Sequence, residues 1–151
     1  MKKIINYFGW TGHNNLGDEA IYGVSKIFFS KKFDLKKYNK RFHSKISLLG
    51  GGTVIPEWTA VHLPNKYNYA YGVGVRNPAY WGNFPPYWIN SIKKFNFRYF
   101  GVRGYISQEI LKSWGIKSEV IGDPALSLEP NKYAFNKHVK KVGINILFNK
   151  D

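Results

Sequence analysis

Short β-rich runs that break at glycine, separated by stretches with helical apolar spacing, restrict this chain to few folds. Residues 3–8 (KIINYF) run into Gly9, and residues 9–17 are rich in Gly, Asn and Thr, as a strand entering a loop. Ala20, Val24, Ile27 and Phe28 then recur at i, i+4, i+7 and i+8, which predicts an amphipathic helix. Asp18 and Glu19 fall in its first turn, beside the positive end of the helix dipole. Residues 45–49 read as a buried strand ending in the triple glycine Gly50, Gly51 and Gly52. Residues 69–75 (YAYGVGV) read as another, with Gly72 and Gly74 where a neighbouring backbone approaches closely. Pro85 and Pro86 suit a helix start ahead of residues 88–95, and a strand follows at 98–102. Ile106, Ile110, Leu111 and Trp114 mark a further helix closed by Gly115, before a short strand at 119–121. Between 30 and 45 the pattern supports only an edge strand near 33–35. This alternation predicts an α/β fold: a Rossmann-like, mainly parallel sheet with helices on both faces. Residues 1–128 form that domain, 129–141 read as a polar, Lys-rich linker, and 142–151 (VGINILFNKD) as the first strand of a truncated second domain.

Composition narrows the function classes. At 44% hydrophobic and 18% aromatic residues, the chain has ample core material, and its 151 residues suit one main domain. The absence of cysteine excludes disulfides and thiolate metal sites and fits a reducing cytoplasm. No apolar run approaches the roughly 18 residues of a spanning helix, and the opening segment is too short and polar for a secretory leader. A formal charge of +14 concentrates anions near the surface: phosphates, anionic glycans, lipid head groups or nucleic acid. Compositional bias with solvated lysines accounts for the same charge equally well.

Glycine-rich or polar turns at 9–17, 50–53, 74–77 and 102–104 follow strands, where backbone N–H groups and helix N-termini hold anions beyond the carboxyl edge of a parallel sheet. Singly, each such glycine reads as a tight turn. Neither G-x-G-x-x-G after the first strand nor G-x-x-x-x-G-K-[ST] occurs, so neither NAD nor ATP is expected. His13, His43, His62 and His138 lack ligand spacing, so no metal site is expected and each reads as a surface or loop residue. Asp18 and Glu19 read either as an acid and base pair or as partners of the helix dipole.

Taken together, GHNNLGDEAIY at 12–22, LLGGGTVI at 48–55, YGVGVRNP at 71–78 and FGVRGYISQEILKSWGIKSEVIGDPALSL at 100–128 resemble the N-terminal half of the polysaccharide pyruvyl transferase family. Two features depart from the family pattern: Gly104 stands where the family has Asp after V-R, and the stretch between the first helix and Gly50 is short. The resemblance implies a two-domain transferase of GT-B shape. Its reaction moves a pyruvyl group from phosphoenolpyruvate to a sugar hydroxyl of a cell-surface glycan or its precursor. Asp18 is then the catalytic residue, and Asn15, Gly17, Gly50, Gly51, Gly52 and Arg103 bind substrate. No cofactor is implied, phosphoenolpyruvate being the donor substrate. The implied partners are that anionic donor, a glycan or lipid-linked glycan acceptor, the missing C-terminal half, and a membrane surface met through basic charge at the cytoplasmic face. Without that half, the chain alone is expected to be inactive. Two other readings stand beside this one. The first is the N-terminal half of a GT-B glycosyltransferase using a nucleotide sugar. The second is a basic nucleic-acid-binding module built on Lys pairs, for which no recognised motif is present.

Overall fold

A computed structural model describes residues 2–39, 44–55, 66–95 and 97–128. The expected linker at 129–141 and strand at 142–151 lie outside the described residues. The chain runs β1 (Lys3–Phe8), α1 (Leu16–Phe29), β2 (Phe33–Lys37), β3 (Ile46–Leu49), β4 (Thr53–Ile55), β5 (Tyr67–Val75), α2 (Pro78–Trp81), α3 (Pro86–Lys94), β6 (Phe97–Val102), α4 (Tyr105–Ser113) and β7 (Glu119–Val120), ending in a 3-10 turn at Pro124–Ser127. Every strand pairing is parallel, in the order β2-β1-β3-β5-β6-β7, with β4 pairing β5 to complete a seven-stranded sheet. This is the α/β, Rossmann-like sheet the alternation predicted.

Alternation along the strands divides the core between two faces. Tyr7 and Leu48 point to one side with Ile5 and Leu35, where Tyr22 and Phe29 of α1 pack on them. Their neighbours Phe8 and Leu49 point to the other, into a cluster with Phe100, Ile92 of α3 and Leu111 of α4. Helices therefore cover both faces.

Helix α1 is turned relative to its apolar spacing. Its buried residues are Asp18, Ile21, Val24 and Ser25, whereas Ile27 and Phe28 are 71% and 64% exposed. A carboxylate drawn inward at the first turn sets this rotation, for a reason given below. Helix α4 shows the same substitution: Leu111 is buried but Ile106 is exposed, and Ser107 takes the inward position, its Oγ accepting from the Val75 N–H at 3.0 Å. Polar anchors reaching strand ends outrank apolar spacing in both first turns. Gly115 adopts φ 74° just past α4, as a C-terminal glycine should.

Strand β2 pairs along β1 as an edge strand, longer than its sequence suggested, and β4 follows the triple glycine where no strand was expected. The two glycines of β5 serve different neighbours. At Gly72, φ is 64° and an added Cβ would fall 2.2 Å from Pro124 Cδ, while at Gly74 it would meet the Arg103 side chain, not a backbone. Gly104 is the N-cap of α4 with extended backbone that any residue adopts, and a Cβ there would meet nothing within 4 Å. Among the described residues, no helix is long and apolar enough to cross a membrane.

Gly72→Ala combines a left-handed conformation with a backbone-adjacent clash, so it should destabilise the chain by about 2–4 kcal/mol. Urea unfolding measures this, and a loss below ~1 kcal/mol would show that the Pro124 turn yields freely.

Candidate functional site

Because the chain passes from β1 to the edge strand β2 and then returns to β3 on β1's other side, the sheet order reverses at β1. Loops after β1 and β3 diverge there and leave a crevice at the carboxyl edge, the usual ligand position in an open parallel sheet. Residues 9–15 and the Gly50–Gly52 turn form its sides.

Asp18 joins the two. It is 6% exposed, and its Oδ1 accepts the Gly52 backbone N–H at 2.8 Å. The turn can approach only because it is glycine: Gly51 has φ 107°, and a Cβ on it would lie 2.8 Å from Asp18 Oδ1. Gly50 faces the Tyr7 ring, which a Cβ would meet at 2.5 Å. Asn15 is the N-cap of α1, its Oδ1 accepting from the Asp18 N–H at 3.3 Å, and Gly17 lies exposed in the first turn. Thus Asn15 and Asp18 hold backbone N–H groups in place.

Glu19 was read with Asp18 but does something separate. Its carboxylate accepts the Gly12 N–H and pairs with Lys37 at 3.2 Å, fastening the β1–α1 loop to the end of β2. The Gly12 bond first, and Lys37 second, hold its pKa below the usual carboxylate value. Within this loop Gly12 and Asn14 are both left-handed, at φ 85° and 56°. Between them His13 is exposed, as expected, and stacks on Trp10 at 3.8 Å between ring centroids.

Arg103 leaves the end of β6 and reaches back across β5. Its Nη2 donates to Thr53 Oγ1 at 2.7 Å, and its Nη1 stands 3.7 Å from Asp123 Oδ2. The guanidinium rests on Gly74, where an added Cβ would come within 2.9 Å of Nε and Nη2. A Cβ on Gly52 would lie 3.7 Å from Asp18 Oδ1 and 3.9 Å from Arg103 Nη1, so the two side chains reach the same turn. Arg103, Asp18, Asn15 and the triple glycine thus share one edge of the sheet. The pair with Asp123 is exposed and longer than a hydrogen bond, which leaves the guanidinium's planar fork available to a carboxylate or phosphate.

Thr53 and Asp123 were not singled out by sequence reasoning, and Gly74 was read as admitting a neighbouring backbone rather than a side chain, although each lies in a motif block described above. Only the approach of β4, β5 and the residues after β7 reveals that they serve one arginine. Among the described residues, no cluster of His, Asp and Glu could hold a metal ion.

A family model described as polysaccharide pyruvyl transferase matches residues 9–150. Nothing matches among curated proteins or among solved structures.

Asp18→Ala orphans a partly buried N–H and should destabilise the chain by about 1–3 kcal/mol, whereas Asp18→Asn retains an acceptor and should lose less than ~1 kcal/mol. Equal losses in thermal or urea unfolding would show that charge, not the hydrogen bond, holds the turn. For Glu19 the folded-state pKa is depressed, so its contacts are complete above the unfolded-chain value and vanish as pH falls through the folded one. The Gly12 amide resonance should follow that transition, with a midpoint below the ordinary Glu value; a midpoint at or above it would contradict the contact.

Proposed function

From the premise that the chain belongs to the polysaccharide pyruvyl transferase family, we propose that it transfers a pyruvyl group from phosphoenolpyruvate to a sugar hydroxyl of a cell-surface glycan or its precursor. The observation that carries this reading is Arg103, its guanidinium held over Gly74 by Thr53 at the carboxyl edge of the sheet. Phosphoenolpyruvate presents a carboxylate and a phosphate, and a planar fork of N–H groups matches either in a bidentate manner. Developing charge on the departing phosphate is stabilised by the same preorganised donors.

In this reading Asn15, Gly17 and the Gly50–Gly52 turn form the wall against which substrate lies. Asp18 acts through that turn: a carboxylate already committed to the Gly52 N–H sets where the wall stands relative to Arg103. Further donor contacts belong to a facing second half of GT-B type, and turnover requires both halves. Work at the cytoplasmic face of a membrane, on a lipid-linked acceptor, accords with the +14 charge.

Calorimetric titration with phosphoenolpyruvate tests the assignment. Arg103→Ala should weaken binding roughly 10- to 150-fold, the worth of a charge-assisted bidentate contact, with little change in the unfolding midpoint. Arg103→Lys should recover only part. Unchanged affinity in Arg103→Ala would remove Arg103 from the donor site.

A further inference from the structure

On the other flank of β1 the crevice opens into a cavity of about 410 Å³, within the range of small-ligand sites, lined by Tyr7, Thr11, His13, Lys37 and Tyr38 among others. We propose that this cavity is the acceptor subsite and binds a neutral sugar through its hydroxyls; the proposal rests on the transferase reading above.

Ring orientation supplies the first argument. His13 Nδ1 lies 3.0 Å from the Thr11 carbonyl oxygen, and a carbonyl only accepts, so Nδ1 carries the proton. In the neutral ring Nε2 is then an acceptor for a hydroxyl. The loop is built to hold that ring: left-handed Gly12 and Asn14 flank His13, Trp10 stacks on it with 14° between planes, and Glu19 anchors the Gly12 N–H.

Charge decides the ligand class. Lys37 is paired with Glu19 at 3.2 Å, so the ammonium an anion would meet here is already neutralised by a carboxylate. Neutral hydroxyls, which both donate and accept, suit such a pair, while the anion-seeking guanidinium lies across the sheet. The Tyr38 ring, stacked on Phe8 at 4.4 Å, gives the cavity a fixed aromatic wall. The cavity lies between the ends of β1 and β2, and β1 is separated from β5 by β3, so the cavity and the guanidinium over Gly74 lie roughly 10–15 Å apart across the sheet, a span that donor and acceptor can fill together.

The test is a titration of the isotopically labelled chain, followed by nuclear magnetic resonance, with methyl glucopyranoside and methyl galactopyranoside. Phosphoenolpyruvate and inorganic phosphate are titrated separately. A glycoside should shift the His13 ring and the Thr11 and Lys37 resonances and leave Arg103 unmoved. His13→Ala should weaken that glycoside about fivefold or more, and His13→Gln, which keeps an acceptor, by less. Glycoside shifts that miss His13, or equal affinity in His13→Ala, would overturn the subsite. Tighter binding of inorganic phosphate than of glycoside at His13 would overturn the neutral-sugar assignment. No glycoside binding alongside phosphoenolpyruvate binding at Arg103 would overturn the subsite and leave the proposed function standing. Absence of both would overturn the proposed function as well.

Discussion

One hydrogen bond, from the Gly52 N–H to Asp18 Oδ1, ties the start of the first helix to the turn after the third strand. Both lie at the reversal of strand order, where the backbone pairing of β1 with β3 reaches only as far as the Gly50 N–H on the Phe8 carbonyl. Burying Asp18 to make that bond turns α1 about its axis, so that Ile21 and Val24 enter the core and Ile27 and Phe28 face outward. It also demands glycine at position 51, since any side chain there would fall on the carboxylate. Helix packing and the shape of the crevice therefore follow from the same contact.

The two faces of the sheet are unequally covered for a topological reason. The crossover carrying α1 runs toward the β2 edge, and the crossovers carrying α3 and α4 run toward β7. Crossovers of one hand running in opposite directions place their helices on opposite faces. On its side α1 is joined by the 3-10 turn at Pro124–Ser127, against which the helix packs. Phe28, Tyr71 and Tyr99 line an apolar hollow of about 380 Å³ beside it. Aromatic side chains do part of a helix's covering work there, with Phe28 and Tyr71 stacked at 5.8 Å.

Electrostatics divides the carboxyl edge into two regions of different character. Over β5 sits a guanidinium whose acidic neighbour is too distant for a hydrogen bond, and over β1 and β2 sits a lysine neutralised by Glu19. The net charge of the chain, large as it is, does not distinguish these places; the position of two carboxylates does. Asp123 and Glu19 each also hold a backbone N–H, of Ala125 and Gly12 respectively, so each has a structural duty beside its electrostatic one.

Much of the architecture was legible in the residues themselves. Strand periodicity, glycine punctuation and helical spacing are local properties, and they indicated the alternating parallel sheet and the loops at its carboxyl edge. The clustering of Asn15, Asp18, Gly50–Gly52 and Arg103 followed from those loops, because all parallel strands end on the same side. What local pattern could not convey was which face of α1 turns inward, because a single long-range bond to Gly52 outweighs the apolar spacing. Nor could it convey that Gly74 exists to admit Arg103, that Thr53 and Asp123 flank that side chain, or that Glu19 reaches Lys37 across 18 residues. Residue types and spacing determined most of the elements and their order, β4 and α2 excepted. The partners of each polar side chain were decided only by tertiary structure, because hydrogen bonds and close backbone approaches depend on distances between segments that have no expression in the neighbouring sequence.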